Sequence, residues 1–246
     1  MISDIDHPKP RGIFSAFTLK CIAIASMLID HIGYILVPPG VFSLTLRLIG
    51  RISFPIFCFL IVESYYHTHN LKKYILRLSV FALVSEVPFD LAFRHNLIYW
   101  QKQNVFFTLL IGLIMIALID RIFNRLNQVV QAGSSHIWVH AIAASALCLA
   151  VAFAAFETAV LLRVDYSRIG IFTILAFYIF RRYFELGVLS LAAINLYFGG
   201  FFQTFAVFSA IPLMLYNREK GRSLRWLFYF FYPIHLIILY LIDIIT

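Results

Sequence analysis

Residues 28–37 read LIDHIGYILV, an acid and an imidazole, Asp30 and His31, set inside an otherwise apolar run. An imidazole takes and returns a proton near neutral pH, which is the work of a general base. Lys20, Met27, His31 and Tyr34 recur at helical spacing and share one face. Arg47 and Arg51 are i, i+4, as are Glu86 and Asp90, with Pro88 between the acids predicting a kinked helix. Two arginines and two acids at matching depth predict charge pairing between their helices, as part of a site or as an ion-paired brace. Asn104 opens a later apolar run, and Asp165 and Tyr166 precede another. His235, in FYFFYPIHL, follows Pro233; a kink there puts the imidazole against a cavity or holds it as a structural histidine.

The tripeptide LID provides an internal control. It recurs at 118–120 and 241–243. The polar stretch RIFNRLNQ after Asp120 predicts that this acid ends a helix at the cytoplasmic surface, and Asp243 lies close to the end of the chain. Only Asp30 is followed by more apolar helix.

These residues sit in a chain of 246 amino acids with 62% hydrophobic and 13% charged residues. A soluble domain carries about 25% charged residues, so composition predicts an integral membrane protein. The formal net charge of +8 comes from short basic clusters between apolar runs. That pattern argues for cytoplasmic loops and anionic lipid and against nucleic acid. Cys21, Cys58 and Cys148 each lie inside an apolar run and read as small apolar fillers, with no disulfide framework or metal-binding spacing.

The apolar runs place spans near 14–37, 42–65, 74–93, 105–119, 137–160, 169–180, 186–198, 201–216 and 226–245. The first is expected to be a retained helix after a cytoplasmic tail, 1–13. Basic residues flank both sides of 186–216, so the chain must reverse inside it, and FGGFF at 198–202 supplies the turn. The expectation is an all-α polytopic bundle of about nine passes (8–10), forming one domain over 14–246, with a cytoplasmic N-terminus. In that orientation thirteen loop lysines and arginines face inside and four, Arg94, Lys102, Arg163 and Arg168, face outside. Asp30, His31, Arg47, Arg51, Glu86, Asp90, Asn104, Asp165 and Tyr166 then fall towards the outer face, with His235 near mid-membrane. Charges at membrane depth cost roughly 2.5–3.5 kcal/mol each and normally face the bundle interior.

Five blocks, LKCIAIASMLIDHIG, LRLIGRISFPIFCFLIVESYYHTHNLKKYILRLSVFALVSEVPFDLAF, NVFFTLLIGL, VDYSRIGIF and FYFFYPIHLIILYLI, resemble in order the TraX family of bacterial membrane proteins. The stretch 121–160 contributes nothing to the likeness. The family is named for a protein that acetylates the N-terminus of F-pilin, and it is remotely similar to multi-pass membrane acyltransferases. The resemblance implies an acetyl-CoA-dependent acetyltransferase of the bacterial inner membrane, with a pilin or fimbrial subunit as partner. The family's polar positions match Asp30, His31, Arg51, Glu86, Asn104, Asp165, Tyr166 and His235. Ser64 and Ser167 stand where the family often has Gly, which leaves the acceptor open.

On that reading His31 is the base and Asp30 stabilises its imidazolium. Arg51 or Asn104 holds the oxyanion, and Glu86 and His235 complete the catalytic set. Arg47, Asp90, Asp165 and Tyr166 bind the acceptor. Lys20, Lys72, Lys73, Arg181 and Arg182 meet the phosphates of the coenzyme, or serve only as positive-inside anchors. The alternatives are a proton-coupled transporter and a non-enzymatic assembly factor.

Overall fold

The computed structural model describes residues 12–133 and 135–246. Nearly all of the expected tail, with Lys9 and Arg11, lies outside the described residues. The described chain is helical, and its only strand-like contacts are two isolated bridges, Phe14 with Tyr216 and Gln103 with Val164.

Helix α1 (Ala16–Ile35) starts where the Ser15 side chain accepts from the Thr18 amide at 3.2 Å. It buries Leu19, Ala23, Ser26, Met27, Asp30 and Gly33, a stripe at helical spacing that takes Asp30 into the bundle. After Pro38, Pro39 and Gly40 the chain returns as α2 (Val41–Gly50) and α3 (Ser53–Tyr66). Pro55 has no amide to give the Arg51 carbonyl, and the break falls at Arg51–Ile52. Pro88 does the same to the Val84 carbonyl, dividing α4 (Leu71–Val84) from α5 (Glu86–Arg94) at Ser85, where the kink was expected.

Helix α6 (Val105–Gln131) corrects one expectation: Asp120 does not end it. Arg121, Arg125 and Gln128 among the residues that follow favour helix, and the helix stops only near Gly133, at φ +71°. Asp120 instead accepts from Tyr65 at 2.9 Å, Asn124 at 3.0 Å and Tyr178 at 3.4 Å, tying three helices together. Helix α7 (Ile137–Leu161) lies against α6 and α8 (Ser167–Ile179) and buries only Ala155 and Ala159. Then come α9 (Phe184–Phe198), α10 (Gly200–Thr204), a 3-10 turn, α11 (Ala210–Met214) and α12 (Arg225–Asp243), which runs on through Pro233. Gly200, at φ +64°, opens the turn expected between α9 and α10.

Contacts sort the helix ends into two groups. At one end Phe14 donates to Leu215 at 2.8 Å, and Glu63 meets Arg181 at 3.5 Å. At the other, Lys102 pairs with Asp165 at 3.1 Å, His95 meets Asp243 at 3.3 Å, and Arg47 lies over the Phe202 ring. Among the described residues five segments are long and apolar enough to cross a membrane: 16–35, 41–66, 105–131, 137–161 and 226–243. The helices at 167–179, 184–198 and 200–214 are apolar but shorter, and 71–94 is broken at Ser85. Large apolar side chains point outward, among them Leu76 and Leu83, Leu149 and Phe153, Ile238 and Leu241. That surface suits lipid rather than water.

Candidate functional site

At the end where Lys102 meets Asp165, a cavity of about 140 Å³ opens between α1, α2, α3, α5, α12 and the loops before α6 and α8. Asp30, His31, Arg47, Arg51, Asp165 and Tyr166 line it, so six of the ten residues expected to act on substrate meet here.

Close backbone approach builds its first wall. Ser43 donates its hydroxyl to the Gly33 carbonyl at 2.6 Å, and a Cβ on Gly33 would press into Leu46 at 2.6 Å. One level further, a Cβ on Gly50 would overlap the Asp30 side chain. The two glycines let α2 lie directly on α1. That approach brings the Arg51 guanidinium onto the Asp30 carboxylate as an ion pair. Arg51 Nε also donates to the Arg47 carbonyl at 3.3 Å.

The charge pairing expected between Arg47, Arg51, Glu86 and Asp90 is therefore corrected. Arg51 takes Asp30, from a third helix. Glu86 accepts from the Asn104 side-chain amide, whose nitrogen also donates to the Ala82 carbonyl at 2.7 Å. Asp90 accepts the Tyr99 amide at 2.6 Å. Asn104 also caps α6, its oxygen accepting from Phe106 N at 3.0 Å, and the residue is fully buried. Both donors of Asn104 are thus committed, and neither it, Glu86 nor Asp90 lines the cavity. These three hold α4, α5, α6 and the loop before α6 in register.

That loop is joined to the next one. Gln103 N donates to the Arg163 carbonyl at 3.2 Å, and Asp165 N donates to the Gln103 carbonyl at 2.9 Å. Thr108 binds the Asp165 carbonyl from below. Tyr166, held at φ +60°, stacks on Phe54 with ring centres 3.7 Å apart and lies 5.8 Å from the Arg51 guanidinium.

His31 forms part of the other wall, and His235 stands behind it. His31 Nδ1 lies 2.8 Å from His235 Nε2, across 204 residues of sequence, and His235 Nδ1 lies 2.7 Å from the Phe231 carbonyl. A carbonyl only accepts, so His235 carries its proton on Nδ1 and presents Nε2 as an acceptor. His31 must then donate from Nδ1, and its Nε2 keeps a lone pair on a ring that lines the cavity. Phe93 and Tyr232 edge onto the His31 ring. Asp30 does not serve this imidazole: it turns to Arg51 while His31 turns to His235.

The five cations expected at the coenzyme sit at the other end of the bundle. Arg181 is engaged by Glu63 and the Tyr66 ring. Lys20 lies over Phe228 at 5.4 Å, while Lys72, Lys73 and Arg182 are exposed. Sequence reasoning missed Arg94, Lys102 and Tyr232 as cavity residues. The first two were read only as loop charges, although they stand between Asp90 and Asn104, which pin that loop to the bundle.

Residues 15–243 match a family model described as TraX protein. The chain is 30% identical to the probable fimbrial assembly protein FimC, serogroup H1, of Dichelobacter nodosus, over 92% of this chain and 94% of that one. No solved structure matches the chain.

Proposed function

The chain belongs to the TraX family, and from that premise we propose that it is a membrane acetyltransferase serving pilus or fimbrial assembly. It moves acetyl from cytoplasmic acetyl-CoA to an amine, the N-terminus of a pilin or fimbrial subunit, at the outer face of the bacterial inner membrane. Nine traverses of the bilayer, with the N-terminus inside, set the cavity at that face. The coenzyme's phosphates stay near the cations of the opposite end.

One observation carries the reading. The relay from Phe231 through His235 to His31 leaves Nε2 with its lone pair on a ring that lines the same cavity as the Arg51–Asp30 ion pair. This is what an acyl transfer asks of a base. As the amine nitrogen bonds to the thioester carbonyl carbon, its proton passes to His31 Nε2. The Nδ1–H bond to His235 strengthens as the imidazolium forms. The carbonyl oxygen becomes an oxyanion, and Arg51, steadied by Asp30, is the cation placed to face it. Collapse of the intermediate breaks the carbon–sulfur bond, and the leaving thiolate takes up the proton from His31. The amide and the free thiol are the products. His235 acts here through His31 and is a positioning residue.

The test is purified protein in liposomes with labelled acetyl-CoA and a panel of amine-bearing acceptors. Label on an acceptor, lost in a folded His31→Ala variant, is expected. No label on any acceptor from a correctly inserted protein would leave a non-enzymatic assembly factor or a carrier.

A further inference from the structure

The cavity's charges do not balance. Arg47, Arg51, Arg94 and Lys102 line it, against Asp30 and Asp165. Each acid has one ion-pair partner, Asp30 Oδ2 with Arg51 and Asp165 Oδ1 with Lys102, while Asp30 Oδ1 is buried and has no hydrogen-bond partner among the described residues. Asp90, one turn before Arg94, binds the Tyr99 amide through Oδ2, and Arg94 lies over the Tyr99 ring at 5.2 Å. Arg47 is left with ring faces, Tyr34 at 4.9 Å and Phe202 at 5.1 Å. Its Nε is buried and finds no acceptor among the described residues.

A guanidinium held by its faces on aromatic rings keeps its edge free. That edge, a planar fork of N–H donors, matches a carboxylate or phosphate. The enclosed space is about the size that takes a benzene-sized group, so only one end of an acceptor enters.

Resting on the acetyltransferase reading, we propose that the acceptor is a peptide end bearing a carboxylate beside its reacting amine, and that Arg47 binds that carboxylate. The amine then faces His31 while the acid bridges to α2, fixing the direction in which the chain end enters. Arg94 adds positive potential at the same wall. In a protein acceptor the anionic side groups are carboxylates, which decides between the two anions that the fork accepts.

The experiment compares two short peptides with free N-termini, identical except for Asp or Asn at the second position. Each is tested as acceptor with the full-length protein in liposomes, at low and high salt. The Asp peptide is expected to be preferred by roughly tenfold to a hundredfold, through KM rather than kcat. High salt should shrink the preference. Arg47→Gln should bring the ratio to near one, and Arg47→Lys should restore part of it. Equal use of both peptides by the wild type overturns the proposal, as does an unchanged ratio in Arg47→Gln. So does a stronger preference for phosphoethanolamine than for the Asp peptide. If no acceptor is labelled, the acetyltransferase reading fails by itself. Binding of the same two peptides, fluorescently tagged, to wild type and Arg47→Gln in nanodiscs then decides the inference. Tighter Asp binding that depends on Arg47 upholds it, and equal binding overturns it.

Discussion

Replacing His235 with Phe tests the relay. The substitution keeps a ring on α12 but removes the acceptor that lies 2.8 Å from His31 Nδ1. In the resting protein the bond is between neutral rings and is worth about 0.5–1.5 kcal/mol. Once His31 holds the acceptor's proton, the same bond becomes charge-assisted and is worth about 1.5–3 kcal/mol. The extra stabilisation acts only as the proton moves, so its loss falls on turnover. If the whole charge-assisted bond is lost, kcat drops roughly tenfold to 150-fold. The neutral bond that disappears from the ground state offsets part of this, giving the lower end of the range. KM for the acceptor should change little, because His235 stands behind His31 rather than on the cavity wall. His235→Gln supplies an amide oxygen as acceptor and should recover part of the rate. The assay is acetyl transfer in liposomes at saturating acetyl-CoA, with insertion and melting temperature measured on the same preparations. A His235→Phe protein that folds normally and turns over at the wild-type rate would refute the relay, even with His31→Ala inactive.

Asp30→Asn should destabilise the fold by less than the ~3–5 kcal/mol of a fully buried pair, because Arg51 loses its counter-charge while its side chain stays partly exposed to the cavity; the Asp30→Leu, Arg51→Met double variant should regain much of this in thermal unfolding while remaining inactive. Arg51→Lys keeps the charge but loses the fork, and should fold while its acetyl transfer is strongly impaired. Gly50→Ala places a methyl group in the Asp30 side chain and should cost about 1–3 kcal/mol, read as a fall in melting temperature and in activity together. In a background lacking Cys21, Cys58 and Cys148, Leu97→Cys should react with an impermeant thiol reagent on intact cells and Ser135→Cys should not; the reverse pattern would invert the proposed orientation.

Much of the architecture is local and was legible in the chain. Runs of apolar residues fix helices by length and composition, and proline and glycine act on the nearest turn. The break beside Pro88 and the reversal at Gly199–Gly200 could therefore be read from neighbours alone. So could the peculiarity of Asp30 and His31, because an acid and an imidazole inside an apolar helix are conspicuous without knowing what they touch. Asp120 shows the limit of that reasoning. A polar stretch after an acid resembles a helix end, yet the helix continues to Gln131 and the acid is bound by tyrosines from α3 and α8. Partner choice was not legible at all. Asp30, Glu86 and Asp90 are three acids at similar depth, and periodicity cannot say which of them meets Arg51. The tertiary structure decides it through Gly33 and Gly50, whose missing side chains let α2 close on α1 and give Arg51 to Asp30. The same holds for His31 and His235, 204 residues apart. Their hydrogen bond, and the tautomer it imposes, arises only when α12 packs against α1, because the direction of a proton depends on which atoms meet and not on which residues are present.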